Sequence, residues 1–182
     1  MGRPRGDGQT AAKLIEAAAR EFQEHGFTGT DSNRIARRAG FAPQTFYRWF
    51  SDKTEIFIAV YHRWVREEFE AGDALRARGA GDLELIDAVI AHHSAYAIFR
   101  RSLRQLTVED EQVRKARAAS RGDQIEQILA RFPGRSAEQT AIFLLQFERL
   151  CDALVDGEFA DLGVSEDAVR RELLSFYERM RA

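Results

Sequence analysis

The 182-residue sequence predicts an all-α fold in two parts. Residues 10–57 have the apolar spacing of three short amphipathic helices and the start of a fourth, with a glycine-marked tight turn at Ala39-Gly40. Apolar residues recur at helical steps again from residue 82 towards the end of the chain. We therefore expect an N-terminal three-helix helix-turn-helix domain over residues 1–53 and a larger helical domain over residues 54–182.

The first two helices are predicted from their apolar faces and their end signals. Gly26 supplies the left-handed residue that ends the first helix. Thr30 and Asp31 are both suitable N-caps for a second helix, which Gly40 ends after scarcely two turns. The apolar stripe of the first helix consists of Leu14, Ile15, Ala18 and Phe22.

The third helix is predicted to begin at Pro43, whose fixed φ suits the first helical position. Phe46 and Phe50 are four residues apart and are expected to face inward. Amide, hydroxyl, guanidinium and aromatic groups on the opposite face suit base edges and phosphates in a major groove. The alternative is that Tyr47, Trp49 and Phe50 are simply core residues. The outward set is Gln44, Thr45, Arg48 and parts of Tyr47 and Trp49.

These residues resemble the TetR family of bacterial transcription regulators. The resemblance covers residues 10 to about 60, roughly a third of the chain. It implies a helix-turn-helix DNA-binding domain, a homodimer and no enzymatic activity. The matching pieces are Ala17-Ala18, Phe22, Gly26-Phe27, Thr30, Ile35-Ala36, Ala39-Gly40, Thr45, Tyr47, Trp49-Phe50 and Lys53.

The resemblance also implies individual roles at the DNA. Pro43, Gln44 and Thr45 would enter the major groove, Tyr47 and Trp49 would meet backbone phosphates, and Lys53 would hold a phosphate at the start of the fourth helix. Arg48 and Thr30 complete the expected DNA-binding set on these helices. Two positions depart from the family pattern: Ala42 stands where the family often has a capping serine, and the polar pair Ser32-Asn33 replaces an apolar and a polar residue. Asn33 either points toward DNA or is a solvated polar residue.

The N-terminal segment and the charge distribution favour the same end of the chain. Arg3 and Arg5 lie in a Gly/Pro-rich arm that can reach a minor groove, with a disordered tail as the alternative. Residues 1–53 hold nine Lys/Arg and six Asp/Glu, a net charge of +3, whereas the remainder holds 18 basic and 23 acidic residues. The basic part therefore coincides with the helix-turn-helix pattern.

Several longer helices are predicted beyond residue 52. Asp52 and Glu55 form a capping-box pattern for a long helix that is expected to break at Gly72. A helix that starts at Asp82 carries one stripe through Phe99, and the charged segment after it is expected to break near Gly122. The penultimate helix opens on the capping box of Ser136 and Gln139, and the last runs from Ser165 to Met180.

His92 lies within the apolar stripe that starts at Asp82, so it is an interior polar group that needs a partner. One interpretation is a core histidine bonded to a neighbour such as Tyr96. The other is a pocket for a small apolar or aromatic effector, with His92 or Arg100 facing an anionic group. No ligand set for a metal completes the shell around His92. The predicted pocket residues are His92, His93, Tyr96, Phe99, Arg100, Phe143 and Phe147.

The last two helices are apolar over more of their surface than one core face requires, which favours a four-helix dimer interface. The alternative is that both helices only complete a monomer core. Cys151 is the single cysteine, so an intrachain disulfide and a cysteine-based zinc site are excluded. It is expected to be a small buried hydrophobe, with a redox sensor as the lesser alternative. The predicted dimer contacts are Phe143, Leu150, Leu154, Leu173, Phe176 and Tyr177.

Together these patterns predict a homodimeric transcription regulator that binds a palindromic double-stranded DNA operator. A repressor released by a small-molecule effector is the main hypothesis, and a dimeric DNA-binding regulator without an effector is the alternative. An enzyme is disfavoured because no acid, base or phosphate loop stands at a diagnostic spacing, and no cofactor is expected. No apolar run approaches a membrane span and no secretory signal is present, so the expected location is the cytoplasm.

Overall fold

The computed structural model describes residues 7–181, and within them the chain forms ten helices and no strand. The all-α prediction is confirmed. None of the helices in this described part is long and apolar enough to cross a membrane. The helices are α1 Asp7–His25, α2 Ser32–Arg38, α3 Pro43–Tyr47, α4 Lys53–Ala77, α5 Asp82–Ala95, α6 Ala97–Glu109, α7 Glu111–Arg131, α8 Ala137–Val155, α9 Glu158–Asp161 and α10 Glu166–Arg181.

The helices group into two compact units. The first comprises Met1–Val65 and Ile98–Arg114, and the second comprises Arg66–Ala97 and Lys115–Ala182. The boundary drawn from the sequence after residue 53 therefore differs from the division of the structure. The difference arises because the first half of α4 and most of α6 pack with the helix-turn-helix, and sequence periodicity does not reveal such long-range packing.

The predicted end signals position the helices of the first unit. Gly26 follows α1 with φ 67° and Gly40 follows α2 with φ 79°, the left-handed region expected for both. Asp31 is the N-cap of α2, and its carboxylate accepts a hydrogen bond of 2.8 Å from the Arg34 N–H. Ala42 gives α3 no side-chain cap, and Pro43 is its first residue. Local sequence signals thus place both α2 and α3.

Aromatic rings form the centre of the first unit. The Phe57 ring on α4 lies 5.0 Å from the Phe22 ring, 5.2 Å from the Phe27 ring and 4.7 Å from the Phe99 ring, measured between centroids. Phe22, Phe57 and Phe99 have no exposed surface. Phe46 of α3 is also fully buried, and Phe50 is 8% exposed, as the spacing of this pair predicts. Burial of this many rings gives the unit most of its hydrophobic stabilisation.

The core of the second unit is built from α5, α7, α8 and α10. Cys151 is completely buried in it, in agreement with its interpretation as a small hydrophobe. The predicted capping box of α8 is present, because the Ser136 hydroxyl accepts from the Gln139 N–H and the Gln139 amide oxygen accepts from the Ser136 N–H. The buried cluster consists of Leu85, Ile86, Ile90, Ile128, Cys151, Val169, Leu173, Tyr177 and Met180.

Three predicted helix limits are wrong. The stripe that starts at Asp82 is divided, because α5 ends at Ala95 and α6 starts at Ala97. Conversely, α4 continues past Gly72 to Ala77, and α7 continues through Gly122 to Arg131. A glycine inside a helix costs only about 1 kcal/mol relative to alanine, so packing elsewhere along a long helix overrides it.

Asp52 caps α4 as predicted, but the second half of the motif differs. Its carboxylate accepts a hydrogen bond of 2.8 Å from the Glu55 N–H. The Glu55 carboxylate accepts from the Ser51 N–H at 2.6 Å instead of the cap residue's own N–H. Both bonds still satisfy donors at the start of α4.

Gly26→Ala should destabilise the protein by about 1–2 kcal/mol, because an L residue at positive φ is strained. The added Cβ would also lie 3.2 Å from the Ser102 Oγ, which accepts the Phe27 N–H at 3.0 Å. Urea denaturation followed by circular dichroism measures the change. Gly40→Ala is the matched control, since it carries the backbone strain at φ 79° with open space around the new Cβ.

Gly122→Ala gives the opposite expectation in the same assay. It lies inside α7 with nothing within 4 Å of an added Cβ, so alanine should stabilise the helix by up to about 1 kcal/mol. The order of stability should be Gly122→Ala, then Gly40→Ala, then Gly26→Ala. A Gly26→Ala protein as stable as Gly122→Ala would contradict the assigned role of Gly26.

Candidate nucleic-acid interface and effector cavity

The outer faces of α2 and α3 present a polar and aromatic surface, which we call the α2/α3 surface. Asn33 and Arg37 on α2 are exposed, as are Gln44 on α3 and Arg48 after it. Tyr47 is 58% exposed although it is aromatic. The half-buried residues Pro43, Thr45 and Trp49 lie between or beside these side chains along the chain. The residues predicted to read DNA are thus brought together on one short helix and its neighbour.

A hydrogen bond between two hydroxyls links α2 to α3. The Ser32 Oγ lies 2.8 Å from the Tyr47 Oη. The Tyr47 ring also meets the buried Phe46 ring edge-on, at 5.3 Å between centroids. In the sequence, Ser32 is only a departure from the family pattern. The Ser32–Tyr47 hydrogen bond joins two helices, and no local spacing in the sequence indicates it.

The three arginines of α2 differ in their ion-pair partners. The Glu21 carboxylate, only 5% exposed, pairs with the Arg34 Nε at 3.1 Å and with the Arg38 Nε at 2.7 Å. Arg38 also pairs with Glu24, and this hydrogen bond lowers the pKa of the Glu24 carboxyl and raises the pKa of Arg38. Among the described residues, Arg37 has no ion-pair partner and is exposed. It is therefore the most available positive charge on α2.

Thr30 does not belong to the α2/α3 surface. It is 3% exposed, and its hydroxyl donates a hydrogen bond of 3.2 Å to the Glu21 carbonyl oxygen. The expectation that its side chain contacts DNA is therefore wrong. Asp31 is the N-cap of α2, although Thr30 was equally suitable from the sequence. The Thr30 hydroxyl instead links the start of α2 to α1.

Lys53 is held mainly by the protein itself. Its ammonium group donates to the Phe27 carbonyl at 2.7 Å and to the Thr30 carbonyl at 2.9 Å, and lies 4.0 Å from the centroid of the Phe27 ring. Burial lowers the pKa of Lys53, against the opposing effect of Asp31. Two of the three ammonium hydrogens are thus used to join α4 to the segment between α1 and α2. One remains for the predicted phosphate contact. Arg3 and Arg5, the other predicted contacts, lie outside the described residues.

The second unit contains a mainly apolar cavity of about 140 Å³, which we call the effector cavity. Its wall is formed by α4, α5, α7, α8 and α10. Of the predicted pocket residues, His92, Phe143 and Phe147 line it. The wall also includes Phe69, Phe132 and Tyr177 as aromatic residues, and Glu68, Arg76, Gln124 and Arg131 as polar residues.

Three more of the predicted pocket residues do not line the cavity, because α5 ends at Ala95 and a new helix, α6, starts at Ala97. Phe99 and Arg100 are buried in the first unit, where the Arg100 guanidinium lies 4.4 Å from the centroid of the Trp64 ring. The Tyr96 hydroxyl donates to Glu67 at 2.8 Å and does not line the cavity. Assigning Tyr96, Phe99 and Arg100 to the pocket is therefore wrong. A single helix from Asp82 would have been needed to align them with His92.

The interior histidine is His93, and not His92. His93 is 2% exposed, and its Nδ1 lies 2.9 Å from the Asp152 Oδ1. Its Nε2 lies 3.5 Å from the Glu68 Oε1. His93 does not line the cavity, so its predicted ligand contact is wrong, while Glu68 on its far side does. His92 is half-buried, with its ring 5.1 Å from the Tyr96 ring.

The faces of α8 and α10 are divided between core and surface. Leu173 is completely buried and Tyr177 is 9% exposed, so their expected role as dimer contacts is wrong. Phe143 stacks on Phe176 within the subunit, at 5.0 Å between centroids, and both are half-buried. The other two predicted contacts, Leu150 and Leu154, are also half-buried. The exposed apolar residues on α8 are Ile142, at 57%, and Leu145, at 50%.

Comparison with known proteins gives matches of two kinds. A family model described as bacterial regulatory proteins of the tetR family matches residues 14–60. An HTH-type transcriptional repressor from Streptomyces coelicolor is 37% identical over 54 residues, which are 30% of this chain and 28% of the repressor. The alignments thus span about a third of the length of the curated relatives.

Solved structures match almost the whole chain. A Rhodococcus protein assigned to the TetR-family transcriptional regulators has a TM-score of 0.72 at 16% identity, over 96% of this chain and 100% of the other. A transcriptional regulator from Saccharomonospora viridis, solved in complex with choline, has a TM-score of 0.67 at 17% identity, over 94% and 96%. At these identities the likeness shows the fold alone.

The sequence match and the structural match both include the helix-turn-helix. The matched residues 14–60 contain α2, α3 and the capped start of α4. The fold beyond them is shared with the solved structures. Residues 14–60 therefore match the tetR family of bacterial regulatory proteins, and the chain as a whole shares the fold of those structures.

Proposed function

We propose that this protein is a sequence-specific DNA-binding transcription regulator. It acts in the cytoplasm as a homodimeric repressor, and a small-molecule effector releases it from a palindromic operator. The observation that carries the proposal is the α2/α3 surface, where polar side chains are exposed above a helix whose Phe46 is fully buried. The match of residues 14–60 to a family of DNA-binding regulators supports the prediction that the chain is not an enzyme.

The side chains of the α2/α3 surface suit two kinds of DNA contact. Gln44 offers an amide that pairs with adenine in the major groove, and Thr45 offers a hydroxyl at its side. Arg37 and Arg48 are exposed cations suited to phosphates, which fix the position of a protein on the duplex. The Tyr47 phenol is a further donor to the backbone.

The exposed apolar part of α8 supports a homodimer. Ile142 and Leu145 lie three residues apart, hence on one helical face, and are at least half exposed. A two-fold axis through such a face makes a self-complementary interface. Two reading helices related by that axis require two half-sites of inverted sequence.

The effector cavity supports release by a small molecule. Its wall is mainly apolar, with several aromatic rings and a smaller number of polar groups than apolar ones, which is typical of ligand sites. The structural neighbour from Saccharomonospora viridis that was solved with choline gives a precedent for a small organic ligand on this fold. An effector can release DNA only by binding the DNA-incompetent state more tightly than the competent state.

Gln44→Ala and Thr45→Ala should relax sequence preference, since base contacts carry specificity. Arg37→Ala and Arg48→Ala should weaken binding to all duplexes alike and each lower the salt slope by about one. Selection from a random DNA pool at two salt concentrations measures both effects. Arg171→Ala is the control, as an exposed arginine on α10. If all four variants behaved alike, the assignment of separate roles would be refuted.

Ser32→Ala should weaken operator binding by roughly 2- to 10-fold, the usual worth of one hydrogen bond, and Tyr47→Phe should weaken it more because it also removes the proposed phenol contact to the DNA backbone. The double variant should lose little more than Tyr47→Phe alone, because both changes remove the same Ser32–Tyr47 contact. Fluorescence anisotropy with a labelled operator gives the coupling energy. Ser94→Ala changes an exposed serine on α5 as control. Fully additive losses would show that Ser32 does not act through Tyr47.

Leu145→Glu should convert a dimer to a monomer at micromolar concentration, because it places a charge in an apolar interface. The subunit fold should survive, since Leu145 is 50% exposed. Sedimentation velocity measures the assembly. The control is Leu162→Glu, which changes a leucine that is 76% exposed and lies outside α8. An unchanged dimer in Leu145→Glu would place the interface on another face.

A further inference from the structure

We propose that the effector cavity binds a small organic cation, whose charge is held by the Glu68 carboxylate within an aromatic wall. This inference rests on the proposed effector role and names the chemical class of the effector. It replaces the expectation that His92 or Arg100 receives an anionic group. Arg100 is buried in the first unit and does not line the cavity.

The charged groups of the wall are not equivalent. Arg76 and Arg131 both pair with Asp73, and Arg76 also donates to the Tyr177 hydroxyl at 3.5 Å. Both guanidinium groups thus share the single Asp73 carboxylate, which lies outside the cavity wall. Within the described residues, Glu68 is the only carboxylate that lines the cavity.

Glu68 retains capacity for another cation. In the described part of the chain its one ion-pair partner is His93, whose Nε2 is 3.5 Å from the Glu68 Oε1. A carboxylate offers about four acceptor positions on two oxygens, so the second oxygen remains for a ligand. The Glu68 side chain is only 18% exposed, and its charge is therefore partly removed from water. A ligand cation in the cavity would compensate it.

His93 is itself shared between two carboxylates. Its other ring nitrogen lies 2.9 Å from Asp152, which is 3% exposed. One histidine thus faces Glu68 on one side and a buried anion on the other. His93 is therefore not available to the Glu68 carboxylate only, because the Asp152 carboxylate shares it.

The position of Glu68 along α4 separates it from Arg76, the arginine of this helix that lines the cavity. Arg76 follows eight residues later, which is about 12 Å along a helix. The next residue, Phe69, lines the same cavity, as do Phe143 and Phe147, whose centroids are 5.4 Å apart. Aromatic faces attract cations, and most strongly where water is excluded. Carboxylate and rings therefore favour the same ligand charge.

The cavity volume limits the size of the ligand. A value of about 140 Å³ is close to the roughly 150 Å³ of an apolar protein cavity that accepts benzene. Choline and its neutral carbon isostere 3,3-dimethylbutan-1-ol are of this size and have the same shape. They differ only in charge, which makes them a matched pair of probes.

Isothermal titration calorimetry of the full chain with both probes tests the proposal. Choline should bind at least about tenfold more tightly than the isostere, a difference of about 1.4 kcal/mol. Glu68→Gln should reduce that preference severalfold and leave the affinity of the isostere unchanged. Glu70→Gln is the control, since Glu70 lies on the same helix and is 69% exposed. Equal affinity of the two probes for the unaltered protein would overturn the cation proposal and leave an uncharged effector.

A second pair of variants keeps the test decisive if Glu68→Gln does not fold. Phe147→Leu removes a ring and retains an apolar side chain, so it should weaken choline more than the isostere. Ala88→Leu narrows the cavity and should weaken both probes, whereas Ala91→Leu, exposed on the same helix, should weaken neither. Binding that survives Ala88→Leu, or no binding of either probe, overturns the assignment of the cation to this cavity.

Operator release measured with the same probes separates this inference from the proposed function. Release by choline that is lost in Glu68→Gln supports both. Choline that binds through Glu68 without releasing DNA supports the cation site and contradicts the effector role. Release by the isostere at the same concentration as by choline supports the effector role and overturns the charge preference.

Discussion

The α2/α3 surface depends on the burial of Phe46, because α3 is too short to be stable alone. It has five residues and lacks a side-chain cap, and a helix of this length is unstable in water without tertiary contacts. Full burial of a phenylalanine stabilises by about 2 kcal/mol, and Phe50 adds a second anchor one turn on. Because these two rings face inward, the geometry of the helix places the remaining side chains on the outer face. Exposure of Gln44, Tyr47 and Arg48 is therefore a consequence of the core.

Charge in the first unit is divided between structure and surface. Glu21 engages Arg34 and Arg38, and Lys53 is bonded to two carbonyl oxygens. These cations join α1, α2 and α4, and their geometry limits what they offer to a phosphate. The net charge of +3 over residues 1–53 already counts these ion pairs as neutral. Arg37 and Arg48 are the exposed cations next to the polar face of α3, so they supply electrostatic attraction at the α2/α3 surface.

The sequence predicts what local chemistry determines. Gly26, Asp31 and Pro43 set the ends of α1, α2 and α3 through backbone angles and caps, and each acts within a few residues. The candidate site on α3 follows from the same local signals. Ser32 was not identified, because its partner Tyr47 lies 15 residues away.

Only His92, Phe143 and Phe147 of the effector cavity were predicted from the sequence, because the rest of its wall depends on helix phase and on the packing of five helices. The break at Tyr96 moves Phe99 and Arg100 out of line with His92 and into the first unit. Glu68 supplies the carboxylate on the wall. The apolar periodicity of its helix, α4, gave no indication of this role. A partly buried carboxylate of this kind costs free energy unless a partner compensates it, so it contributes little to stability by itself. Its place in the wall agrees with the proposed cation, and in that proposal the free energy that acts on DNA binding is limited to the ligand's preference for one state.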